Sequence, residues 1–199
     1  MSSAPRVIVL DSNAYFRLAR SIHPLLSQPF GDPPPYALKV LHDLDKEFAK
    51  SIRLVSKFHW VSDPEYCKDR ISAQYLASGK TASQVEMALS YLIYQAKEER
   101  IDLSHIDLKV LAVGRARHFP VITDDKGMQK LAEILNIECW STLKLLKLMV
   151  DCKRIDIGKV QEVVEYWEAD NDLPLSKQEF ELQYRKLFNG NRLSNISSK

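Results

Sequence analysis

Cysteine is scarce in this sequence. Cys67, Cys139 and Cys152 are the only three, an odd number at wide spacing. That pattern makes neither a disulfide framework nor a clustered zinc site, and it suits a reducing cytoplasm. Charge of one sign is scarce too. Lys and Arg total 28 against 26 Asp and Glu, a net charge of +2. No strong global field therefore draws the chain to nucleic acid, and any such binding needs a local basic patch. No apolar run reaches membrane-spanning length. Near the start, only Arg6 precedes a short apolar run that Asp11 closes, too little for a secretion signal. The expectation is a cytoplasmic protein. Glycine is sparse, with six residues, and no G-x-G-x-x-G follows the first predicted strand, which argues against a dinucleotide site. Ala77-Ser78-Gly79-Lys80-Thr81 looks like the end of a P-loop, but Gln74 stands where that motif needs its first glycine.

What is present is an ordinary globular balance: 199 residues, 45% apolar and 27% charged. That is enough for one domain with a sizeable core. Arg6 to Leu10 is a short β-branched run of the kind found buried at the centre of a parallel sheet. Ala14 to Ile22 reads as helix. Prolines and Gly31 between His23 and Pro35 break the chain. From Tyr36 to Ser51, Ala37, Val40, Leu41, Leu44 and Phe48 fall on one stripe, which predicts a helix. Arg53 to Val61 is rich in β-formers and predicts a second strand. Ser62-Asp63-Pro64 opens a helix that Gly79 ends. Thr81 to Gln84 reads as the capping box of the next helix. Ser104 starts another, through about Arg117. Pro120 to Ile122 is a short buried strand, Met128 to Leu135 a helix, Ile137 to Trp140 a last strand. Leu143 onward is mostly helical, with breaks near Asp156 and Pro174. Asn189 to Lys199 is polar without apolar period and reads as a flexible tail. Strands alternating with helices predict an α/β fold with a parallel sheet.

Two predicted strands end in acid: Val7-Ile8-Val9-Leu10-Asp11, and Val121-Ile122-Thr123-Asp124-Asp125. In one parallel sheet, their carboxyl ends share an edge. Converging carboxylates repel one another and their pKa values rise. A hard divalent cation with oxygen ligands removes that penalty and can activate water against a phosphodiester. Each acid also has a plain structural explanation. Asp11 suits a turn, Asp107 completes a capping pattern with Ser104, and Asp124 or Asp125 suits a helix cap. Only the combination favours a metal site.

Asp102 to Ala132, with Leu103-Ser104-x-x-Asp107 ahead of Pro120-Val-Ile-Thr-Asp-Asp125, resembles the signature half of a PIN domain. Val7 to Asn13 resembles that family's first strand with its aspartate. The Thr123-Asp-Asp-x-x-Met-Gln129 run is similar to the ribosome-maturation branch. The resemblance covers residues 6–142. It implies a three-layer α/β/α fold with a central, mainly parallel sheet and a helical C-terminal extension. It implies a catalytic domain at 1–142, with helices at 143–188 packed on it. It further implies a Mg²⁺- or Mn²⁺-dependent endoribonuclease. Asp11, Asp107 and Asp125 match three of the family's acids, with Asp124 as an added carboxylate. Asn13 and Thr123 match polar orienting positions, and Lys126 is the best-placed basic residue for a phosphate. The family's second acid falls on Asp69 if the proline is aligned, or on Glu65 one turn earlier; both stay open. RNA is the implied substrate, an antitoxin partner is allowed, and a homodimer is allowed. Two rivals stand beside this. A phosphohydrolase with Asp11 as nucleophile usually carries D-x-D, and here the sequence is D-x-N. A non-catalytic PIN module acting as RNA- or protein-binding scaffold is motivated by the irregular second acid.

Overall fold

In the computed structural model, which describes residues 4–188, β1 (Arg6–Leu10) lies in the middle of the sheet. Its alternate side chains feed two separate cores. Ile8 and Leu10 belong to one apolar cluster and Val9 to the other, so the run needs no polar face. After β1 come α1 (Ser12–Ala19), β2 (Tyr36–Leu41), α2 (Asp43–Lys50), α3 (Ile52–Lys57) and a 3₁₀ turn at His59–Ser62. Then follow α4 (Pro64–Ala73), β3 (Gln74–Tyr75), α5 (Gly79–Glu98), α6 (His105–Arg117), β4 (Val121–Ile122) and α7 (Lys126–Ile134). β5 (Cys139–Trp140) and α8 (Thr142–Asp151), α9 (Ile157–Ala169) and α10 (Lys177–Leu187) complete the described chain.

The five strands run in the order β3-β2-β1-β4-β5, and every pairing is parallel. Ile8 registers with Leu38, and Leu10 with Ile122. On one face α5, α6 and α7 supply Leu89, Leu92, Leu111, Val113 and Leu131 to a cluster with Val9 and Val121. On the other, α1 and α8 to α10 supply Phe16, Leu146, Trp167, Phe180 and Tyr184 to a cluster with Leu10 and Ile122. The chain is therefore a three-layer α/β/α fold with an all-parallel central sheet. The C-terminal helices enter the same apolar cluster as the sheet. No helix among the described residues is long and apolar enough to cross a membrane. The expected tail at 189–199 lies outside the described residues.

Several expected elements differ. The helix expected over 36–51 is strand β2 followed by helix α2. β2 is buried on both faces, so it shows no alternation, and its apolar residues line up by chance with those of α2 into a helical stripe. The strand expected over 53–61 is helical instead, because Ser51 caps α3 by accepting from the Leu54 backbone N–H at 3.2 Å. Gly79 begins α5 rather than ending α4, which stops at Ala73 where the chain turns into β3. The box expected at Thr81 lies inside α5, whose N-cap is Ser78.

α6 crosses β4 closely at Gly114. A Cβ there would stand 2.5 Å from Val121 Cγ2 and 3.2 Å from the Phe119 carbonyl oxygen. Both neighbours are fixed, one of them in the strand that carries the acidic turn. Gly114→Ala is therefore expected to lower stability by about 1–3 kcal/mol, read as a lower midpoint in urea. An unchanged midpoint would show that α6 and β4 are not so tightly apposed.

Candidate metal centre

The strand order places a topological switch point at β1 and β4. From β1 the chain moves outward to β2, and from β4 it moves the opposite way to β5. Open parallel sheets bind ligands in the crevice beyond the carboxyl ends of such strands. Asp11 follows β1 directly, and Thr123, Asp124 and Asp125 follow β4. The Asp11 backbone N–H donates to the Ile122 carbonyl at 3.0 Å, which locks the two turns side by side.

Asp11 is 2% exposed. It caps α1, its Oδ1 accepting from the Ala14 N–H at 2.6 Å. Burial pushes its carboxyl from the ordinary 3.8 up to about 7; the Thr123 hydroxyl and the Ala14 N–H pull downward, while the charges of Asp124 and Asp107 push further up. The Thr123 hydroxyl also reaches Met128 Sδ at 3.4 Å. It has one proton to give, and a carboxylate is a far stronger acceptor than a thioether. Its oxygen accepts from the Asp125 N–H at 3.0 Å.

Asp124 is also buried, and its carboxyl is raised by that burial. Thr142 at the start of α8 donates to it twice, from N at 3.1 Å and from Oγ1 at 2.5 Å. Arg17 of α1 donates from Nη1 at 3.2 Å. Asp107 sits in a true capping box. Ser104 N–H donates to its Oδ2, and its own N–H donates to Ser104 Oγ, each at 3.1 Å. The cap points the first turn of α6 at the edge, where the Asp107 charge acts on Asp11. The cysteine beside these acids, Cys139 on β5, has its thiol pushed up to about 12 by burial and then by Asp11 and Asp124. It is a neutral thiol there, not a nucleophile.

The other expected residues lie differently. Asp125 is exposed and caps α7, accepting from the Met128 N–H at 2.8 Å. Of the two strand-end acids, Asp124 is the one whose charge bears on Asp11. Asn13 and Lys126 are exposed, and the Lys126 charge acts on Glu179 of α10. Asp69 is not at this edge. It is 4% exposed, and its carboxylate accepts three backbone N–H groups, from Leu25 and Leu26 at 3.0 Å and Ser27 at 2.8 Å. It ties down the proline-rich segment after α1, so both its oxygens are engaged in a structural role. Glu65 is exposed in the first turn of α4 and is joined to none of the edge acids by a described contact.

Sequence reasoning missed three residues. Asp43 follows β2 at the same sheet edge and pairs with Lys109 at 2.8 Å, which lowers its carboxyl pKa even against burial. Reading 36–51 as one helix hid it; recognising β2 as a strand would have found it. Arg17 and Thr142 had no local signal.

These donors are hard oxygens, the right chemistry for Mg²⁺ or Mn²⁺. Among the described residues, no three His, Cys, Asp or Glu side chains stand together in a group that could hold a metal ion. A closed cage is what calcium or structural zinc needs. Magnesium usually keeps several waters and takes one or two carboxylates with substrate phosphate. Asp11 fits that open kind of site: its carboxyl is raised first by burial and then by the charges of Asp124 and Asp107, both of which a bound cation would offset.

No protein-family model matches this chain, and no curated protein sequence matches it. One similar solved structure is the crystal structure of FitAcB from Neisseria gonorrhoeae, at 13% identity and a TM-score of 0.46. The match covers 68% of this chain and 97% of that one. A likeness this distant carries no argument about function.

The Asp11 shift has a consequence for stability. Its folded pKa lies above its unfolded one, so between about pH 4 and 7 the native state binds the proton more tightly. Stability then falls as pH rises through that window and levels off above it. With chelator present, Asp11→Asn, which keeps a capping side chain, is expected to be more stable than wild type at about pH 8, by on the order of 2–4 kcal/mol. The gap closes below about pH 4. A pH-independent difference in thermal unfolding would contradict the buried, proton-holding carboxyl.

Proposed function

We propose that this chain is a PIN-like, divalent-cation-dependent endoribonuclease that hydrolyses RNA phosphodiester bonds at the switch-point edge. The observation that carries this reading is the Asp11 carboxyl at the carboxyl end of the central strand, raised to about 7 first by burial and then by the charges of Asp124 and Asp107. An acid desolvated beside like charges is costly to keep unless it has a task. Asp11 and Asp107 are the residues that would hold the ion. A bound Mg²⁺ or Mn²⁺ supplies polarisation of the phosphodiester and a water acidified for attack on phosphorus.

The protein's own part is positional. The α1 cap fixes one oxygen of Asp11, and Thr123 orients the carboxylate from the neighbouring strand end. The capping box fixes Asp107. Thr142 holds Asp124, which keeps negative charge close to the edge. Lys126, exposed beside the acidic turn, is the basic residue this reading assigns to a backbone phosphate. RNA is the partner this reading requires. A protein inhibitor covering the edge, as in toxin–antitoxin pairs, is the partner that the resemblance adds.

A second reading has its own observation. Asp124 pairs with Arg17, and Asp43 with Lys109. An edge whose acids carry internal cations suits a non-catalytic module that binds RNA or protein.

The test is cleavage of a mixed pool of structured and single-stranded RNA by the purified chain with Mn²⁺. Cutting is expected, abolished by EDTA and reduced about a hundredfold or more in Asp11→Asn and Asp107→Asn. RNA retention without cutting, unaltered in Asp11→Asn, would establish the second reading instead.

A further inference from the structure

A chain of four charges leads away from the acidic edge. Arg17 Nη1 donates to Asp124 at 3.2 Å. Its Nε donates to the Asp172 carboxylate at 3.1 Å and to the Asp172 carbonyl at 3.2 Å. The other Asp172 oxygen pairs with Lys57 Nζ at 3.1 Å. Asp172 lies in the turn between α9 and α10, in the C-terminal extension. Trp167 of α9 adds a bond from Nε1 to the Arg17 carbonyl at 2.8 Å, fixing the backbone from which the guanidinium reaches.

One guanidinium is thus shared between an edge acid and a distant one. The Arg17 side chain is 15% exposed and that of Asp124 is 3% exposed. At that depth a unit charge is poorly screened. Asp124 does not depend on Arg17 for its hydrogen bonds, since Thr142 donates to both of its oxygens. What Arg17 adds is positive charge, at the place where the edge carries its excess of negative charge.

We propose that Arg17 is the built-in counter-ion of this edge, competing with a bound divalent cation, and that Asp172 sets the strength of that competition by holding part of the guanidinium's charge away from Asp124. This rests on the divalent-cation reading above. The helical extension is then not only a packing element. It tunes the cation affinity of a site to which it contributes no ligand, and anything that moves the α9–α10 turn changes how firmly Arg17 leans on Asp124.

The two ends of the device give effects of opposite sign. Arg17→Met removes the competing charge. Asp172→Asn leaves Arg17 with Asp124 as its one full counter-charge. Mn²⁺ binding to the full-length chain is measured by calorimetry at low ionic strength, with no RNA present. Arg17→Met is expected to bind about tenfold tighter than wild type, and Asp172→Asn about threefold weaker. Arg17→Lys, which keeps the charge, stays near wild type. A gain in affinity cannot come from a loss of folded protein, so damage to the fold cannot imitate the first result. Asp11→Asn serves as the control that locates the bound ion.

Equal affinity in Arg17→Met and wild type, with binding lost in Asp11→Asn, would overturn the role of Arg17 and leave the nuclease reading standing. Absence of Mn²⁺ binding in wild type and in every variant would overturn both.

Discussion

β1 must be covered on both faces, because Ile8 and Leu10 point into one core and Val9 into the other. Helices from two parts of the chain supply that cover, and neighbouring strands pair along both edges. The residue that follows such a strand inherits its burial. Here that residue is an aspartate, and it cannot be both solvated and in place. Much of the local chemistry follows from this one constraint: the raised carboxyl of Asp11, the cap to α1, the Thr123 hydroxyl turned toward it, and the sensitivity to Asp124 and Asp107. A strand end at the periphery of the sheet would have left the same residue an ordinary turn-former.

The capping interactions at this edge serve two purposes. Asp11, Asp107 and Asp125 each accept a backbone N–H at the start of a helix. A capped carboxylate is held in one orientation and gains from the helix dipole. That is why the plain structural explanation and the functional one coexist at these positions. Asp125 shows the cap alone, exposed. Asp11 shows the cap together with desolvation and like charge, and it is this combination that separates a candidate centre from a row of helix starts.

How much was legible beforehand follows from the range of each interaction. β1, the turn at Asp11, the Ser104 cap and the acids after β4 are encoded by neighbouring residues, and local spacing sufficed for them. β2 was not, because a strand buried on both sides shows no alternation, and its apolar residues ran on into those of α2. Asp69 was one of two positions for the family's second acid, yet its partners lie 42 to 44 positions earlier in the chain. Arg17 meets Asp124 across 107 positions and Asp172 across 155. Such pairings depend on the finished fold and leave no periodic trace. The resemblance made Asp125 the family's acid and Asp124 an added carboxylate, whereas the geometry of the turn buries Asp124 and leaves Asp125 exposed.

The central claim is that Asp11 is a buried acid whose proton is held until a cation takes its place. Carbon-13 NMR of the aspartate carboxyls, titrated in chelator and again with Mg²⁺, tests this most directly, with Asp11→Asn assigning the resonance. The account predicts a midpoint near 7 without the ion and a marked fall once Mg²⁺ is added. A midpoint in the ordinary aspartate range without the ion, or one that Mg²⁺ leaves unmoved, would contradict it.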